Sequence, residues 1–277
     1  MFTNIKPFFL IVATTLLIVS CGGNKQEDID DISSDNSTDV SLDSQKISAQ
    51  NVFNAIPARA EIITLIQQSQ AQYNPEILNN PDNVNQYTLE SSKALNLGVY
   101  GSDLNSTGVF EQTQESMLFL KCVNLLAKSL GVSNSFDEKM VDRMEANKEN
   151  RDSTLEIISQ SFKNADRFLK ANGRPGTSSL IVAGAWIEGM HLACNTAKET
   201  KNEAIVKAIF KQKESLKYLV ELLEASKLSD DSKYIITDLI ALKAILEAKT
   251  DNVYTLEALA EADKKSTEVR TKVVSLK

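Results

Sequence analysis

Turn-forming residues are scarce in this chain. Among 277 residues there are 10 glycines and 5 prolines, with no proline after Pro175 and no glycine after Gly189. A fold of many tight β-hairpins needs those residues at its turns, so the shortage argues against an all-β protein and for helices joined by Ser, Asp, Asn and Thr. There is one histidine, His191, which excludes a di-iron bundle site, since such a site draws a histidine from each of two helices. There are three cysteines and no CxxC pair, which removes the usual redox and zinc motifs. Acids outnumber bases 37 to 30, and no basic stripe is visible, so nucleic acid is not expected as a partner. The longest apolar run, near the amino terminus, spans about a dozen residues, short of the ~20 that a membrane-crossing helix requires.

That run has its own meaning. Lys6 supplies a positive start, Phe8 to Val19 is mostly apolar, and Ile18-Val19-Ser20-Cys21 follows. Charge, apolar run and small residue fall in the order of a secretory leader. The tetrapeptide resembles a bacterial lipobox, which implies cleavage before Cys21 and acylation of its sulfur and new amino terminus. Two or three acyl chains hold a protein firmly to a bilayer where one holds it marginally. Residues 1–20 are therefore read as a lipoprotein signal peptide. From Gly22 to Lys46 seven acids face two lysines in a Ser-, Asp- and Asn-rich stretch. Too few apolar residues occur there to offset the entropy of ordering, so residues 21–50 are expected to form a lipidated cysteine and a flexible acidic tether. Gly22-Gly23-Asn24-Lys25-Gln26-Glu27-Asp28 is similar to the acid-bearing segment after the cysteine in surface-displayed lipoproteins of Bacteroidota-type bacteria. That likeness implies an outer-membrane location, periplasmic or surface-exposed.

Residues 51–277 read as one all-α domain, an antiparallel bundle of eight or nine helices. Pro57 marks a start, and the helix it opens should fail before Asn74-Pro75. Helices are expected from about Val84 to Leu104 and from about Val109 to Leu130, the second stopped by Gly131. Ser135 with Glu138, Ser153 with Glu156 and Thr200 with Glu203 have the spacing of capping boxes. Ile205, Ile209, Leu216, Leu219 and Leu223 form one helical stripe; Ile235, Leu239, Leu242 and Leu246 form another, and a weaker one runs from Val253 to Leu276. Gly98 and Gly101 suggest a close helix contact.

Leu180 to Ala197 is apolar nearly all round, as a central helix should be. Its exceptions, Gly184, Glu188, His191, Asn195 and Lys198, fall on one line. Two readings stand: the solvent-facing edge of a buried helix, or a functional wall in which Glu188 and His191 share a proton beside Trp186. Asn172 to Ser179, with two glycines and Arg174, is either a helix stop and start or an anion cradle. Cys122 and Cys194 are either two buried thiols, the favoured reading, or a disulfide.

Leu97 to Leu104, the helix over Phe110–Leu130, Leu155-Glu156-Ile157-Ile158 and Ala183 to Gly189 together resemble a family of uncharacterised all-helical lipoproteins of Bacteroidota-type bacteria. The resemblance covers about Pro57 to Ala197 and implies a lipid-anchored helical body without assigned activity, cofactor or site residues. The expectation is therefore a non-catalytic, membrane-anchored binding or scaffolding module, with no cofactor or metal. Its partner would be an envelope protein or a small molecule. The alternatives are a ligand receptor with an inter-helix groove near Trp186 and Tyr100, or an enzyme using Glu188 and His191.

Overall fold

The computed structural model describes residues 56–147, 150–248 and 254–275, with side chains from residue 62 onward except that of Glu138. The leader, Cys21 and the acidic tether lie outside the described residues. Within them the chain forms ten α-helices, four short 3₁₀ turns and no strand. The helices are α1 (Ile56–Gln68), α2 (Glu90–Val109), α3 (Thr113–Ser129), α4 (Glu138–Ala146), α5 (Arg151–Ala171), α6 (Pro175–Thr200), α7 (Glu203–Lys211), α8 (Lys213–Ala225), α9 (Tyr234–Glu247) and α10 (Leu256–Ser275). An all-α bundle is what the composition implies. The count exceeds eight or nine chiefly because the Ile205–Leu223 stripe breaks at Gln212, which ends α7 and opens α8. All five residues of that stripe are nevertheless buried.

The centre is α2 packed along α6, and the contact is set by missing side chains. A Cβ on Gly98 would strike the carbonyl oxygen of Ile181, and one on Gly184 would strike that of Leu95. The two backbones thus meet where each lacks a Cβ, at about 1 kcal/mol per glycine in helix propensity. Gly101 faces the Phe162 ring of α5 instead. Around this pair the buried apolar residues form one connected core, from Leu78 and Val84 through Leu95, Ile158 and Ile187 to Val269.

At the three starts expected to carry capping boxes, the cap comes from a different residue. Asp137 accepts from the Met140 N–H, Asn150 from that of Ser153, and Asn202 from those of Ala204 and Ile205. The three capping boxes at Ser135, Ser153 and Thr200 are corrected accordingly. In each case Asp or Asn close by takes the exposed amides, for which a short side-chain oxygen is enough. The stops are as read: Gly131 and Gly173 adopt φ of 73° and 71°, left-handed values that glycine reaches without strain. Asn79 to Asn83 includes part of a 3₁₀ turn over Pro81–Gln86, and α2 begins at Glu90, six residues later than expected.

Candidate functional site

The polar line on α6 is neither a solvent edge nor a cavity wall. It is a seam that runs from the buried contact of Gly184 with α2 to an exposed Lys198, and two of its residues, Glu188 and Lys198, pair with α10. Glu188 has no exposure, and its carboxylate accepts two hydrogen bonds from Arg270 of α10, at 2.9 Å from Nε and 3.0 Å from Nη2. His191 Nε2 lies 3.2 Å from the Ile77 carbonyl oxygen, and Asn195 donates to the His191 carbonyl at 2.8 Å. Lys198 ends the line in an ion pair with Asp263, also on α10. Burial holds the His191 imidazole below its ordinary pKa, against the pull of Glu188. Glu188 and His191 are therefore each committed to structure, and the proton-sharing wall is replaced by a helix-docking seam.

Beside Glu188 lies a second acid, Asp103 of α2, also fully buried. Its Oδ2 accepts from the Asn79 N–H at 3.2 Å, but its Oδ1 meets no donor. Two carboxylates here share one guanidinium. Burial first, and the Glu188 charge second, hold the Asp103 carboxyl well above the ordinary range. The buried Oδ1 is satisfied once a proton sits between it and Glu188, which leaves the cluster with one negative and one positive charge. Burial alone would lower the Arg270 pKa, but Glu188 raises it, so the guanidinium stays charged. A second clamp holds α10 to α9, where Asp238 accepts from Lys265 at 2.9 Å and from Lys272 at 2.7 Å.

Tyr100 is likewise absorbed by the core. It is fully buried, packs on Tyr87 and Phe119 with ring centroids 6.3 and 6.2 Å away, and donates its hydroxyl to the Asn80 carbonyl at 2.8 Å. Cys122 and Cys194 are free, buried thiols. The Asn172–Ser179 segment holds its own partner rather than an open cradle. Arg174 donates to Glu90 Oε1 and to the Leu130 carbonyl, each at 2.7 Å, and Thr177 donates to the same Glu90 oxygen at 2.6 Å.

Trp186 alone of the four candidate residues faces open space. Its indole N–H donates to Ser215 Oγ at 3.0 Å, which fixes the ring at the junction of two clefts. The larger, about 390 Å³, has apolar walls from Ile63 of α1, Leu155 and Phe162 of α5, and Ile181, Val182 and Trp186 of α6. The smaller, about 90 Å³, runs beneath Ile62 and Ile66 toward Tyr73 and Phe110, and its charged residue, Glu199, accepts the Gln72 N–H at 3.1 Å. Ile63, Ser102, Asn105 and Trp186 line both. Glu188, His191 and Tyr100 line neither. Leu155 and Phe162 were not singled out from the sequence, and the α5 apolar spacing offers no sign that they border a cleft rather than fill a core. Asp103 and Arg270 escaped for another reason: they come from distant segments and acquire meaning only against Glu188.

No family model, no curated protein and no solved structure matches the chain. No group of three or more metal-ligating side chains occurs among the described residues, and no described helix is long and apolar enough to cross a membrane.

Proposed function

We propose that this chain is a lipid-anchored helical lipoprotein of a bacterial outer membrane that binds a small, largely apolar ligand without catalysing a reaction. The observation that carries the binding reading is the 390 Å³ cleft beside Trp186. Its volume is in the range of small-molecule sites, and its walls are mainly apolar with a few polar groups, as such sites are. The anchor reading rests on the lipobox-like Ile18 to Cys21. It places the cleft at the end of a tether beside a membrane, where apolar molecules concentrate.

Two experiments test the two halves. The cleft should take up the apolar fluorophore N-phenyl-1-naphthylamine saturably, quenching the single tryptophan by energy transfer. Ser159→Trp, which fills the cleft from α5, should block uptake. Lack of saturable uptake by the folded wild type refutes the receptor reading. Labelled palmitate should enter the wild type and not Cys21→Ala; equal labelling of both refutes the anchor.

A specific observation also favours partner binding. Met117, Leu118 and Leu125 of α3 are 52%, 53% and 41% exposed, and Met117 and Leu125 border a shallow hollow shared with Val141. That face suits a scaffolding contact, and cross-linking from Leu118 in whole cells would capture a defined envelope protein under this reading.

A further inference from the structure

The cleft beside Trp186 is selective about charge as well as size. Four ionisable residues border it: Asp152, Glu156, Lys163 and Asp166, all on α5. Asp166 is taken by Lys170 at 2.7 Å and by the Ser178 hydroxyl. Asp152 sits at the outer rim, 88% exposed, with Arg151 at 3.7 Å. That leaves Glu156 and Lys163, opposite in sign and seven residues apart on one helix, hence on the same face. These two remaining charges on the lining cancel. An ionised head group that enters meets one charge of its own sign for each counter-charge and still loses its hydration, at a cost greater than a neutral polar group incurs.

Neutral polar groups, by contrast, stand ready. Ser102, Ser178 and Ser215 spend their hydroxyls on the Ala185 carbonyl, on Asp166 and on Gln212. Thr64, Gln67, Asn105 and Ser159 also line the cleft, and among the described residues their side chains form no hydrogen bond. Two amides and two hydroxyls, each able to donate and accept, line the same cleft as Ile63, Phe162, Ile181 and Trp186. Building on the binding role proposed above, we infer that the ligand is an uncharged amphiphile, an apolar body carrying hydroxyl, carbonyl or amide groups and no net charge. Fatty-acid anions and alkylammonium cations are then poor ligands, although their chains fit the same walls.

The test uses three probes with one chain and three heads: 1-decanol, decanoate and decylammonium. Each is titrated below its aggregation threshold at pH 7.5 into the full chain carrying Cys21→Ser, which removes the acyl anchor. Binding is read by Trp186 fluorescence and by calorimetry. Decanol is expected to bind at least tenfold tighter than either ion. Asn105→Leu should weaken decanol several-fold and leave decanoate unchanged, since a neutral hydrogen bond is worth a factor of roughly 2 to 10. Equal or tighter binding of either ion overturns the charge selectivity while leaving an apolar cleft intact. Unchanged decanol affinity in Asn105→Leu overturns the hydrogen-bonding role. If no probe binds by either method, the receptor reading itself fails and this inference with it.

Discussion

Replacing the fully buried Asp103 by asparagine should stabilise the protein in neutral and alkaline solution. The folded carboxyl keeps its proton because burial and the nearby Glu188 disfavour a second negative charge. An unfolded aspartate loses that proton near pH 4. From there upward the folded state binds more protons than the unfolded one, so rising pH lowers stability, by up to about 1.4 kcal/mol per pH unit for one proton. The erosion continues until the folded carboxyl itself ionises. In Asp103→Asn the amide oxygen can accept the Asn79 N–H, and the amide nitrogen can donate to Glu188 where the shared proton sat. No proton is then held against its preference and the slope disappears. Urea unfolding followed by far-UV circular dichroism at pH 5, 6, 7 and 8 measures this directly. The stability difference between variant and wild type should move in the variant's favour as the pH rises above the pKa of the unfolded carboxyl, for as long as the folded carboxyl keeps its proton. A variant less stable at every pH, or a gap that does not change with pH, refutes the shared proton.

Three further outcomes follow from neighbouring features. Arg270→Met leaves Glu188 buried beside Asp103 without its cation, and the loss of a buried partner costs about 3–5 kcal/mol; the urea midpoint should fall accordingly, and Glu188→Gln in the same chain should recover part of the loss. Gly98→Ala and Gly184→Ala each drive a methyl into a facing backbone that cannot rotate aside. Each should cost at least the ~1–3 kcal/mol of an overpacked core, whereas Gly173→Ala, with nothing within 4 Å, should lose only what its left-handed backbone demands. Burial pushes the Cys122 thiol up to about 11 and the Cys194 thiol higher still, so iodoacetamide at pH 8 should leave both unmodified in the native protein and alkylate both in urea, as counted by mass spectrometry.

Periodicity and turn chemistry made much of the fold legible. The stripe from Ile235 to Leu246 lies within α9, Gly131 and Gly173 end α3 and α5, and Gly98 marks a close backbone contact, each by a mechanism local to a few residues. Caps were harder to read, because Asn202 and Thr200 are both plausible until the backbone angles choose between them. The polar line on α6 was visible as a pattern, but its meaning was not. A polar face toward water and a polar face toward another helix have the same spacing, and Arg270 lies 82 residues beyond Glu188. Trp186, expected beside an inter-helix groove, does border open space. Glu188, His191 and Tyr100 seemed suited to the same pocket, yet the fold consumes all three.

The counter-ion of Glu188 stands 82 residues further along the chain. A chain that docks α6 against α2 before α10 is in place must bury two acids away from the guanidinium that neutralises this cluster, so closing the centre of the bundle and seating α10 on it become one cooperative event rather than two.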